Sequence, residues 1–141
     1  MLRTKEGNPM IYKNVLAYIN GKFSETLLQQ ALLITEFFEA QLRAVHVTGD
    51  PRESIPLLGE GMSVAMIEDI VDATKRESLK RKEKARADFD ESLARSALAS
   101  ADGVVEFIEE FGRDEAILCR LGRLADLILC PCASDEGNVS Q

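Results

Sequence analysis

The residues of this chain that could do chemistry are few, and each has a plainer structural role to weigh against it. His46 is the sole histidine and lies inside the apolar run Leu42-Arg43-Ala44-Val45-His46-Val47. One imidazole cannot make a two-histidine metal site, so a satisfied core or near-core histidine is expected. Cys130-Pro131-Cys132 sets two thiols at i and i+2. On a strand these face one way, within reach of a soft metal or of a disulfide with Cys119. A structural zinc takes four ligands and the cysteines supply at most three, so buried, inert thiols at a strand end are expected, and no metal. Asn20-Gly21-Lys22 ends another apolar run and could bring Lys22 to an anionic ligand; a solvated loop lysine is the alternative. Between Lys75 and Arg86 stand seven basic residues against Glu77 and Glu83, leaving the rest of the chain near −12 from 10 basic and 22 acidic residues. That block could dock an acidic partner or a phosphate-bearing ligand, while a solvated helix face is the more ordinary outcome. No Ser/His/Asp set, phosphate-binding P-loop or paired-carboxylate spacing stands out, so no enzyme is expected.

The elements that must position these residues follow from apolar spacing. Val15-Leu16-Ala17-Tyr18-Ile19 is nearly continuous, the pattern of a strand covered on both faces and therefore of a parallel sheet. Ser24 is an N-cap candidate, and Leu27, Leu28, Ala31, Leu32, Ile34, Phe38 and Leu42 then recur at steps of three and four, the stripe of a helix lying on that sheet. The second strand, Leu42 to Val47, ends at Thr48-Gly49-Asp50-Pro51, completing a right-handed βαβ unit. Pro51 to Gly61 reads as an irregular connection near the carboxyl ends of the strands, where open α/β sheets bind ligands. No proline or glycine interrupts Met62 to about Ser100, which predicts one long helix or two with a break, with Met62 and Met66 packed at its start. Val104 to Glu109 is a third strand with an alternating face, suited to a position near an edge. A short helix after Gly112 would face Ala116, Ile117, Leu121, Leu124 and Ala125 inward, and Asp126 to Pro131 is a fourth, buried strand.

Size and charge bound the function. A chain of 141 residues with 45% hydrophobic side chains fits one domain with a sizeable core and excludes a second complete one. A net charge of −7 argues against sequence-independent binding to nucleic acid or to anionic membranes. No apolar run reaches the roughly 18 residues of a spanning helix, and the start of the chain is polar, so a cytoplasmic protein with free thiols is expected. Residues 1–12 read as a lead-in, 13–132 as the domain and 133–141 as a polar tail.

In this order and spacing, Lys13-Asn14-Val15-Leu16, Leu42 to Val47 and Ala125-Asp126-Leu127-Ile128 resemble the first, second and fourth strands of the universal stress protein family, over about Tyr12 to Pro131. The resemblance implies an open parallel α/β sheet of flavodoxin-like, nucleotide-hydrolase-like type in the order 3-2-1-4-5, with many members binding ATP or AMP where strands 1 and 4 diverge. Transferred here, it would put Asn20, Gly21, Lys22 and Thr48 at the nucleotide crevice. Two departures count against that. Asn20 stands where nucleotide-binding members have an aspartate, and Pro131 and Ser134 stand where they have the first glycines of a phosphate loop; proline has no N–H to offer a phosphate. The last helix and fifth strand have no counterpart, leaving strand 4 as an exposed apolar edge. The resemblance therefore implies a stress-related binding or regulatory module without a cofactor. It would act by homodimerisation or by pairing with a second domain of the kind, as the first half of a tandem protein would. The alternative is an ATP- or AMP-binding stress protein whose phosphate loop is supplied by missing or partner residues.

Overall fold

The first apolar run forms β1, Asn14–Tyr18, and every later element is placed by it. In the computed structural model, which describes residues 12–21, 23–54 and 61–132, β1 is followed by α1 (Ser24–Phe38), β2 (Gln41–Thr48), a 3-10 turn (Pro51–Ser54) and α2 (Val64–Arg95). The remaining elements are β3 (Val105–Phe111), α3 (Asp114–Gly122) and β4 (Leu127–Leu129). The sequence assigned to the lead-in through residue 11, Lys22, and the tail from residue 133 with Ser134 lie outside the described residues. All strand pairs are parallel, in the order β3-β2-β1-β4. This is the open α/β sheet that the apolar runs imply, and β3 takes an edge as its alternating pattern suggests.

Alternation along the strands sends side chains to two covered faces. On one, Val15, Ala17, Leu42 and Ala44 meet α1 through Leu28, Ala31 and Leu32 and α2 through Ala85 and Phe89. On the other, Leu16, Val45 and Val47 meet Ile117 and Leu121 of α3. Arg86 lies over the Phe107 ring, 4.9 Å from its centroid, so a cation covers the aromatic surface of the edge strand.

Several local expectations are corrected. Ser24 does not cap α1: Phe23 precedes the helix at φ 55° and the Ser24 hydroxyl accepts a hydrogen bond from the Gly21 N–H instead, at 3.1 Å. Glu39, at φ 54°, ends α1 in the left-handed conformation, so Leu42 belongs to β2 and not to the helical stripe. α2 stops at Arg95 because the Ser96 hydroxyl bonds to the Leu93 carbonyl and accepts from the Leu98 N–H. Leu124 and Ala116 of the α3 region and Met66 of α2 are exposed rather than packed. β4 is not buried on both faces: its central Ile128 is exposed, and Cys119, Cys130 and Cys132 are all exposed free thiols. A strand with a neighbour on one side only has no element beyond it to cover its flank. Among the described residues, no helix is long and apolar enough to cross a membrane.

α2 is the outsized element. Its 32 residues make a rod of about 48 Å, yet its buried residues are Ala85, Phe89 and Ser92, all in the last third. Its first three turns run past the carboxyl ends of the strands.

β4 is fastened at its start by Asp126, whose Oδ2 accepts from the N–H groups of Lys13 at 2.8 Å and Asn14 at 2.9 Å. Those two hydrogen bonds hold the carboxyl below the ordinary aspartate range. A depressed native value means the unfolded chain takes up the proton first, so this stabilisation is complete above the ordinary range and is lost as the pH falls through the native value. The stability gap between the wild type and Asp126→Ala, measured by urea unfolding, should therefore be widest above about pH 5 and close on acidification. In the core, Leu16→Ala should cost about 3 kcal/mol by the same measurement at neutral pH.

Candidate functional site

The strands end where polar residues begin. Ile19 still donates its N–H to the Val45 carbonyl at 2.9 Å, and its own carbonyl accepts from Nδ1 of His46 at 2.7 Å. A carbonyl can only accept, so Nδ1 carries the hydrogen and, in the neutral ring, Nε2 is an acceptor. His46 is thus a buried, hydrogen-bonded histidine that closes the ladder between β1 and β2.

Around this closure lies a polar crevice of about 200 Å³, lined by Tyr18 and Asn20 from the end of β1, His46 to Gly49 from the end of β2, Ser78 and Arg81 from α2, and Asp114 from α3. The Tyr18 hydroxyl donates to Asp114 Oδ2 at 2.6 Å, tying the first turn of α3 to the end of β1. Burial, then the hydrogen bond and the negative charge of Asp114, push the Tyr18 phenol well above its usual range, with the Arg81 charge opposing them. Among the described residues, no hydrogen bond joins Ser78 to His46 or Asp114, and no three His, Cys, Asp or Glu side chains are grouped to hold a metal ion. The crevice offers one cation, a carboxylate already engaged by a phenol, and several neutral donors and acceptors.

Of the residues singled out in the sequence, Asn20 and Thr48 meet on this crevice. Gly21 lies beside it at φ 87°, where a Cβ would come within 3.3 Å of the Arg81 carbonyl oxygen; its role is to let the β1–α1 turn pack against α2. Lys22 is outside the described residues. Most of the basic block from Lys75 to Arg86 is solvent-exposed, with Lys84, Arg86 and Arg95 bridging to Asp88, Asp90 and Glu91 four residues along or back. Tyr18 and Asp114 were not marked by the sequence, and Arg81 only as one member of the basic block. They come from separate elements with no spacing signature, and only the topology joins them.

An open parallel sheet with two helices on one face, a third on the other and a polar crevice at the carboxyl ends of its inner strands defines a flavodoxin-like α/β class. Within that class, the universal stress protein UspA from Lactobacillus plantarum aligns with a TM-score of 0.58 at 13% identity, over 92% of this chain and 83% of that one. A universal stress protein family member from Burkholderia pseudomallei aligns at 0.48 and 18% identity, over 87% of this chain and 83% of that chain. A universal stress protein solved in complex with cAMP aligns at 0.40 and 16% identity, over 84% and 75%. No protein-family model and no curated sequence matches the chain. The fold is universal stress protein-like.

Replacing Tyr18 by Phe should lower stability to urea by about 1 kcal/mol at neutral pH. A raised phenol value means the contribution is complete below the ordinary tyrosine range and fades as the pH rises through the native value. An alkaline absorbance titration of the variant should accordingly lack the late-ionising tyrosine of the wild type.

Proposed function

We propose that this chain is a universal stress protein-like binding module that acts by contact and not by catalysis, and that the contact is made along the outer edge of β4. One observation carries the reading. β4 is paired with β1 on one side, and among the described residues nothing pairs with its other side. An apolar strand with free backbone groups is a template for another strand, and Leu127-Ile128-Leu129 presents Ile128 at 42% exposure. The opposite edge is guarded: β3 carries Glu106, Glu109 and Glu110, charges that discourage pairing. A second copy of this chain, placed β4 against β4, would continue the sheet through a two-fold axis.

A second reading, ATP or AMP binding with phosphate contacts from outside the described residues, has in its favour that Asn20 and Thr48 share one crevice. Against it stand the small volume of that crevice, below the roughly 300 Å³ of ordinary ligand sites, and Pro131 at the start of the would-be phosphate loop.

Native mass spectrometry separates the two. The wild type should run as a dimer without nucleotide, and Ile128→Lys should run as a folded monomer. A wild type that stays monomeric at its highest soluble concentration would remove the edge-pairing reading. A copurified adenine nucleotide would establish the second.

A further inference from the structure

A second and larger hollow, of about 640 Å³, opens over the ends of β2 and β3 beneath the overhanging part of α2. It is in the size range of small-molecule sites, about 300–1,000 Å³, and lies to the β3 side of the polar crevice, away from the β1–β4 divergence. Its lining has a definite charge logic. Three acidic residues line it, and the carboxylate of each already has a partner. Glu109 bridges to Lys82 at 3.2 Å, Glu110 to Arg120 at 3.1 Å, and Asp50 accepts from the Arg52 backbone N–H at 2.9 Å. Glu109 and Glu110 are neighbours on β3, so they point to opposite faces and each finds a cation on the helix that covers its face.

Arg52, from the 3-10 turn, and Lys75, from α2, line the same hollow, and their side chains enter no ion pair among the described residues. Two unengaged cations sharing one hollow run against the chain's net charge of −7. Beside them, Phe111 at the end of β3 is 67% exposed and Leu79 of α2 is 53% exposed, giving an aromatic and an aliphatic surface within the same lining.

We propose that this hollow binds a small amphipathic anion, a flat apolar body bearing one carboxylate, sulfonate or phosphate group. The anionic group meets Arg52 and Lys75, where charge-assisted hydrogen bonds are strongest. The body lies on Phe111 and Leu79; the charges of Glu109 and Glu110 are met by Lys82 and Arg120, and the Asp50 carboxylate is held by the Arg52 backbone N–H.

The test uses the full chain and anilinonaphthalene sulfonate, a fluorescent aromatic anion of this chemistry, with amide chemical-shift mapping to locate it. Saturable binding is expected, with shifts centred on Thr48 to Arg52, Lys75 to Lys82 and Glu109 to Phe111, and with affinity falling as salt rises. The Arg52→Ala, Lys75→Ala double variant should bind about tenfold more weakly. The charge-conserving pair Arg52→Lys, Lys75→Arg should restore most of the affinity, and Phe111→Ala should also weaken binding. Leu33→Ser, on the exposed apolar surface of α1 that includes Phe37, should leave it unchanged. Undiminished binding by the double alanine variant, or loss of binding with Leu33→Ser, would overturn the proposal. Neither result bears on whether β4 self-associates.

Discussion

Everything in this molecule is arranged so that β1 can be satisfied in four directions at once. It hydrogen-bonds to β2 on one edge and β4 on the other, while Leu16 and Ala17 at 0% exposure and Val15 at 1% need apolar cover above and below. A parallel strand in that position cannot be solvated on either face. Helices on both sides are therefore a requirement, met by α1 and α2 on the Val15 and Ala17 face and by α3 on the Leu16 face.

The polar features sit where that constraint ends. Beyond Tyr18 the apolar demand stops after one more residue, Ile19, whose N–H is satisfied by the Val45 carbonyl and whose carbonyl is satisfied by the His46 ring, both from β2. The next positions can then carry Asn20, Thr48 and, across from them, Arg81 and Asp114. The β1 end and the α3 start are joined by Tyr18 and Asp114, so the crevice is shaped by the helices that cover opposite faces. The larger hollow has a different origin. It exists because α2 is longer than the strands it crosses and leaves a roofed space when they stop.

Much of this was legible in the residues. Val15 to Ile19, the stripe from Leu27 to Leu32 and the run through Val47 carry periods that only a βαβ unit satisfies, and the uninterrupted stretch after Met62 announced a long helix. Exposure at β4 was not legible in its own residues and followed only from the resemblance, which left strand 4 at the edge of the sheet. Leu127, Ile128 and Leu129 spell a buried strand, but burial of a strand depends on its neighbours and the sequence of the strand itself is silent about them. The same reason made Cys130 and Cys132 look buried. Ser24 misled in another way: a serine before an apolar stripe can cap the helix or bond back to the turn, and the backbone at Phe23 decides between them. Tyr18, Arg81 and Asp114 are unremarkable singly. The excess length of α2 could have pointed to the larger hollow, had it been compared with the eight residues of β2.

The Asp126 fastening also bears on the order in which the chain assembles. His46 and Ile19, which join β2 to β1, are 27 residues apart, whereas Asp126 and Asn14 are separated by 112. Closing the longer loop costs about 1 kcal/mol more in chain entropy, and it is repaid by a strand of only three residues. β1, β2 and β3 can assemble around α1 and α2 first, with β4 added to a sheet that already exists. In a chain made from its N-terminus, the flank of β1 that β4 covers stays open until residue 129 has left the ribosome. For the whole of that interval the strand at the centre of the finished fold is itself an unpaired edge.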